Sequence, residues 1–193
     1  ARDATAKSFI LNSGAAWVRQ ESLSQLVGEN SHSDMLSVSI ARDGQEYDQR
    51  TFQHHASAQS YSDLLYKNTL YDESRTIFSG LILVDEKAHH TDAYQTCRNL
   101  LMSDTVEANS MPGLEINADQ VKCSHGSTSA MIDEDEIFYL RARGVKPHVA
   151  RQLVAQGFSV ECISRLKSPE LEELVLGFAA REFHRISESA VAR

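Results

Sequence analysis

The hydrophobic period of this chain changes once, near residue 130, and that change limits the fold more than any other feature. Before it, short apolar runs alternate with period two. Met35, Leu36, Ser37, Val38, Ser39, Ile40 and Ala41 place Leu36, Val38 and Ile40 on one face of a strand. That run stops at Asp43-Gly44, a turn dipeptide. Residues 76–84 are rich in β-branched and aromatic types, with Gly80 inside them as a candidate bulge or tight bend. Leu114, Glu115 and Ile116 follow Pro112-Gly113, and Val121 to His125 make a further run. No proline precedes Pro112, which suits a continuous series of paired strands. Two-residue hairpin signals are scarce, so a meander of hairpins is poorly supported. No strict repeat stands out.

After residue 131 the period is helical. Asp133 with Glu136 makes a capping box, and Glu134 and Asp135 add negative charge where the helix dipole favours it. Ile137, Phe138 and Leu140 form an apolar stripe, Arg141 and Arg143 suit the C-terminal end, and Gly144 stops the helix. Pro147 opens a second helix carrying Val149, Ala150, Leu153 and Val154, with Gly157 as its expected end. Val160, Ile163 and Leu166 suggest a short helix. Ser168-Pro169-Glu170 opens another, with Leu171, Leu174, Val175 and Phe178 at helical spacing. The expected organisation is a β part over residues 1–130 and a small helical domain over 131–193.

Charge and cysteine content narrow the function. Lys and Arg total 19 against 27 Asp and Glu, a formal charge of -8. That argues against nonspecific binding to nucleic acid or an anionic membrane surface. No stretch approaches the ~20 apolar residues of a membrane helix. Cys97, Cys123 and Cys162 are too scattered for a disulfide framework or a zinc ribbon, and their odd number suits a reducing compartment. The chain reads as cytoplasmic. It begins Ala1-Arg2-Asp3-Ala4 without Met, consistent with a piece of something longer. No phosphate-binding loop or dinucleotide fingerprint is present, so ATP binding by this chain is not expected.

The most suggestive chemistry lies in Val121-Lys122-Cys123-Ser124-His125-Gly126. On a strand, Cys123 and His125 share a face at ~6.5 Å between Cα atoms. Thiolate and imidazole both bind iron, zinc and copper. Two ligands do not close a site that normally takes about four. A buried packing role for Cys123 is the plainer alternative. His54-His55 and His89-His90 are adjacent pairs, and on a strand neighbours point to opposite faces, so neither pair chelates jointly outside a turn. The acidic run 133–136 reads as a helix start. A Cys-His hydrolase lacks a local nucleophile signature.

The stretch Ala118-Asp119-Gln120-Val121-Lys122-Cys123-Ser124-His125-Gly126-Ser127-Thr128, followed by Asp133-Glu134 and by Phe138-Tyr139-Leu140-Arg141-Ala142-Arg143-Gly144-Val145, resembles the SufB/SufD family of iron–sulfur cluster assembly scaffolds. Leu65-Tyr66-Lys67, Ser74-Arg75, Phe78-Ser79-Gly80 and the run from Thr91 to Leu101 fit the same family in the same order. The resemblance spans roughly residues 50–165. Ser-His-Gly after Cys123 resembles the SufD branch. Cys97, where a polar residue is expected, and Ser129-Ala130, in place of Val-Gly, depart from the pattern.

The resemblance implies a right-handed parallel β-helix followed by a helical domain that docks the SufC ATPase. It also implies a chain corresponding to the C-terminal half of a longer protein, its first strands an exposed solenoid end. It further implies pairing with a SufB-type paralogue, or a second copy of itself, through the last strands. A transient iron–sulfur cluster would then form at that interface, with Cys123 and His125 as candidate ligands. Such a chain is a scaffold, not an enzyme. Flavin binding by the complete complex stays open. The alternatives are a purely structural SufC-binding subunit without cluster ligands, and a carbohydrate-active β-helix enzyme, which needs a carboxylate constellation on one face.

Overall fold

The computed structural model describes residues 1–192, with side-chain surroundings through residue 189. Nine strands precede three helices: β1 (Thr5–Ser13), β2 (Trp17–Leu26), β3 (His32–Ala41), β4 (Glu46–His55), β5 (Tyr61–Leu70), β6 (Arg75–Val84), β7 (Asp92–Leu101), β8 (Glu107–Ile116), β9 (Lys122–Met131), α1 (Glu134–Ala142), α2 (Pro147–Ile163) and α3 (Pro169–Ala192). Odd strands form one parallel sheet in the order β1-β3-β5-β7-β9, and even strands form a second in the order β2-β4-β6-β8. The chain therefore alternates between two sheets and advances one rung per coil, a parallel solenoid. Hairpin signals are scarce in the sequence because no two consecutive strands pair with each other.

The coil repeat is roughly thirty residues, within the range of solenoid proteins, as Thr5 pairs with His32, His32 with Tyr61, Tyr61 with Asp92 and Asp92 with Lys122. One column of turns carries a non-glycine residue in the left-handed region at each coil: Asp3, Asn30, Gln59, His90 and Gln120, with φ between 54° and 58°. Asp and Asn tolerate that region best, and a single such residue costs little. These residue types differ from coil to coil, which hides the repeat from a search for sequence identity.

Register explains the two buried faces of the odd sheet. Met35 pairs with Leu64, and both point into the solenoid with Tyr66, Phe78 and Cys97. Leu36 pairs with Leu65, and both point outward with Val38 and Ile40. This outer face meets Ala150, Ala155, Cys162 and Ile163 of α2 and Ala179, Phe183 and Ile186 of α3 in one continuous apolar cluster. Each Val, Leu or Ile fully buried this way contributes roughly 1.5–3 kcal/mol. The helices are thus bonded to the solenoid through a shared core. The outer face of the even sheet has no such cover among the described residues.

Several boundaries differ from the sequence expectation. Gly80 makes no bulge: it pairs in register between Thr51 and Pro112. The strand expected from Leu114 starts earlier, because β8 runs through Pro112-Gly113. β8 is an edge strand, the one place where a ladder tolerates the missing N–H of proline. Helix α2 continues through Gly157, and Val160 and Ile163 lie within it. Only Ser164–Leu166 form a 3₁₀ turn, ended by Lys167 at φ 54°. Gly144 does stop α1, at φ +86°, with its N–H donating to Arg141 O. Phe138 is not part of a core stripe, since only Ile137 of α1 is buried.

Candidate functional site: the open end of the solenoid

Strand β9 closes the odd sheet and pairs on one side only, with β7; β8 likewise pairs only with β6. Both open edges lie at the same end of the solenoid. On β7, residues alternate between buried and partly exposed, whereas nearly every residue of β9 is exposed. The difference is positional: the inward side chains of β7 are covered by the next coil, and those of β9 face no further coil.

Cys123 and His125 sit on this terminal rung. Cys123 pairs with Ala93 and His125 with Gln95, both inward positions of β7, so the two side chains share the inner face. Lys122 lies on the other face, where its Nζ is 4.0 Å from Asp92. Cys123 is half-buried against a cluster of Ile82, Val84, Ala88 and Ala93. Burial raises its thiol above the ordinary value, with a smaller opposing contribution from the Ala93 backbone. At neutral pH it is a thiol rather than a preformed thiolate. His125 is exposed. Together they offer one soft donor and one imidazole at an uncovered edge.

The remaining candidates separate. Cys97 is fully buried inside the solenoid, where burial pushes its thiol up to about 12 against hydrogen bonds from Ser110 and Asn68. Cys162 sits between α2 and the odd sheet, where its thiol donates to Ser37 O and Leu65 O, and burial again raises it to about 12. His54 and His55 face opposite sides, as neighbours on a strand do. His54 Nε2 lies 3.0 Å from Asp85 on the outer face, while His55 bridges Ser60 and Ser62 inside. His89 donates to Asp119 O, and His90 occupies a turn. In the acidic run, the Asp133 carboxylate caps α1 by accepting from Asp135 N at 2.8 Å. Among the described residues no group of three or more His, Cys, Asp and Glu could hold a metal ion.

On the outer face of the even sheet, the carboxylates of Asp48 and Asp85 are held in ion pairs. Asp48 is engaged by Arg19 and Arg50, and Asp85 by His54. What sequence reasoning missed is the open edge, because exposure of one rung depends on which strands lie beside it. No helix among the described residues is long and apolar enough to cross a membrane.

Known proteins match this arrangement. Residues 1–158 match the family model of the SUF system FeS cluster assembly, SufBD core domain. The chain is 39% identical over 176 residues to the iron–sulfur cluster assembly protein SufD of Escherichia coli (strain K12), covering 91% of this chain and 42% of that relative. It is 31% identical over 196 residues to an iron–sulfur cluster assembly SufBD family protein of Mycobacterium leprae, covering 97% of this chain and 50% of the relative. A SufBD family protein of Synechocystis shares 39% identity over 108 residues, 56% of this chain and 24% of its own length. The chain spans half or less of the length of these relatives. With the parallel solenoid, its C-terminal helices and the matched core in hand, the chain belongs to the SufB/SufD family of iron–sulfur cluster assembly proteins of the SUF system.

Proposed function

We propose that this chain is the SufD-like part of a scaffold that pairs with a SufB-type paralogue through its last coil and presents Cys123 and His125 to a nascent iron–sulfur cluster. The observation that carries this reading is the terminal rung: β8 and β9 have unpaired edges, and the inner face of β9 is open. An unpaired parallel edge offers a row of backbone donors and acceptors to another chain. A partner strand laid there would bring further ligands against the two that this chain supplies. The cluster is cargo under assembly, so an incomplete ligand set suits transient holding better than a closed structural site.

The helices supply the second contact. Leu171, Leu174 and Phe178 are 50%, 55% and 51% exposed on α3, with the Arg181 guanidinium stacked 4.5 Å from the Phe178 ring. This stripe is the proposed SufC dock, and ATP hydrolysis belongs to that partner. The cytoplasm, with its reducing poise, is the proposed compartment for three free thiols.

A purely structural role is the second reading, favoured by the apolar packing and raised pKa of Cys123. Co-purification of the full-length protein with its neighbours from native cells, with iron and sulfide measured, separates the two. Cys123→Ser or His125→Ala is expected to abolish cluster building while leaving assembly intact. Variants that restore iron–sulfur enzyme activity in cells as well as the wild type would leave only the structural role.

A further inference from the structure

Strand β9 carries little that would fix its register. Its inner face holds Cys123, His125, Ser127 and Ser129, and its outer face Lys122, Ser124, Gly126, Thr128 and Ala130. Every residue of β9 except Cys123 is exposed, and nothing lies within 4 Å of where a Gly126 Cβ would stand. A strand that is polar on both faces and contains glycine specifies its register weakly. Slippage by two residues would preserve the faces and carry Cys123 and His125 ~6.6 Å along the rung. The two ends are held: Lys122 N donates to Thr91 O at 2.9 Å, and Ile132, just beyond the strand, is buried against the helices. Between them, Cys123 is the only side chain of β9 packed in an apolar cluster among the described residues.

One interior side chain reaches this rung. Asn99 of β7 is 3% exposed, and its Oδ1 accepts from Asn68 Nδ2 of β5 at 2.8 Å. Its Nδ2 donates to Ser129 Oγ at 3.0 Å, with longer contacts of 3.5 Å to Thr128 O and to Ser110 Oγ of β8. Ser129 is the register partner of Asn99, as Asn99 is of Asn68, so the three form a column across β5, β7 and β9. A carboxamide has two N–H groups, and these face the last strand of each sheet. Asn68 is fully buried, which fixes the acceptor end of the Asn99 carboxamide. The column thus runs from a rigid base to the exposed rung.

We propose that Asn99 is a positioning residue: its bond to Ser129 locks the register of β9, and so places Cys123 over Ala93 and His125 over Gln95. This rests on the reading of Cys123 and His125 as cluster ligands. Apolar packing of Cys123 anchors one half of the rung and the Asn99–Ser129 bond anchors the other, with His125 between them. The same bond sets the edge that β9 offers to a partner strand.

Ser129→Val and Ser129→Thr differ by one hydroxyl at an exposed position, so the pair isolates the bond. In the full-length protein, the β9 amides bonded to β7 should exchange about fivefold faster in Ser129→Val, the effect of losing one net hydrogen bond. Exchange in β3 and β5 should stay as in the wild type, and Ser129→Thr should match the wild type throughout. Iron and sulfide in the complex co-purified from cells should fall in Ser129→Val and not in Ser129→Thr. Equal exchange in the two variants would overturn the register lock. Faster exchange in Ser129→Val with iron and sulfide unchanged, where Cys123→Ser lowers them, would overturn its role in the site. Should Cys123→Ser and His125→Ala themselves leave iron and sulfide unchanged, the ligand reading fails, whatever the exchange shows.

Discussion

At the scale of single residues, burial separates groups of the same chemical type. His55 is held inside between two serine hydroxyls, and burial, with a smaller contribution from nearby His54, lowers its pKa to about 4 from 6.5. The folded protein therefore keeps this imidazole neutral where the unfolded chain would protonate it. Its contribution to stability is complete above pH 6.5, is lost as pH falls toward about 4, and changes no further below that. The shift corresponds to about 3 kcal/mol. Denaturant unfolding at intervals from pH 7 to pH 4 should show this loss in the wild type and a flatter profile in His55→Gln. Equal slopes in the two proteins would remove His55 as the cause. The three thiols should likewise differ in alkylation rate. Half-buried Cys123 should react slower than free cysteine yet well ahead of Cys97 and Cys162, both raised to about 12. Peptide mass spectrometry over a time course reads the order directly, and early labelling of Cys97 would contradict it.

At the scale of elements, what surrounds a strand or helix overrides its local signals. Gly157 reads as a helix stop, but α2 passes through it because Ala155, Ser159, Cys162 and Ile163 are buried on the sheet. Nothing lies within 4 Å of where a Gly157 Cβ would stand. Gly157→Ala should therefore stabilise the chain by about 0.5–1 kcal/mol, seen as a higher denaturation midpoint at unchanged m-value. A lower midpoint would mean that α2 needs the glycine for another reason. On α3, the periodic run Leu171, Leu174 and Phe178 is exposed, and the residues that anchor the helix are Ala179, Phe183 and Ile186. Leu174→Glu with Phe178→Glu should thus alter stability little while weakening the proposed ATPase contact at least tenfold by titration calorimetry. Unchanged affinity would move that contact elsewhere.

At the scale of the whole molecule, one apolar cluster joins the odd sheet to α2 and α3. Ion pairs reinforce the seam: Lys67, 4% exposed at its side chain, reaches Glu161 of α2, and Arg165 Nη1 lies 2.7 Å from Asp63. Sheet and helices should unfold in a single transition. Removing residues 146–193 should expose Leu36, Val38, Ile40 and Leu65 and leave an aggregating chain. A truncated solenoid that stays soluble and cooperative would show that the two parts stand alone. Hydrogen exchange on the full-length protein probes the other end. Binding of the proposed SufB-type partner should slow amide exchange in β8 and β9, and protection confined to other strands would displace the interface.

The sequence by itself determined a good deal. Alternation over 35–41, the Asp133 cap, the Gly144 stop and the openings at Pro147 and Pro169 are properties of neighbours along the chain, so propensity and capping suffice to read them. The family pattern around Cys123 and His125 was legible for the same reason. Tertiary structure decided what depends on partners distant in sequence. Gly80 stays in a regular strand because β4 and β8 flank it, and Pro112 lies within a strand because that strand is an edge. Leu36 and Met35 are equally apolar, yet one meets the helices and the other the interior. The openness of the rung that carries Cys123 and His125 follows from strand order alone, because exposure is a property of what lies beside a strand rather than of the residues within it.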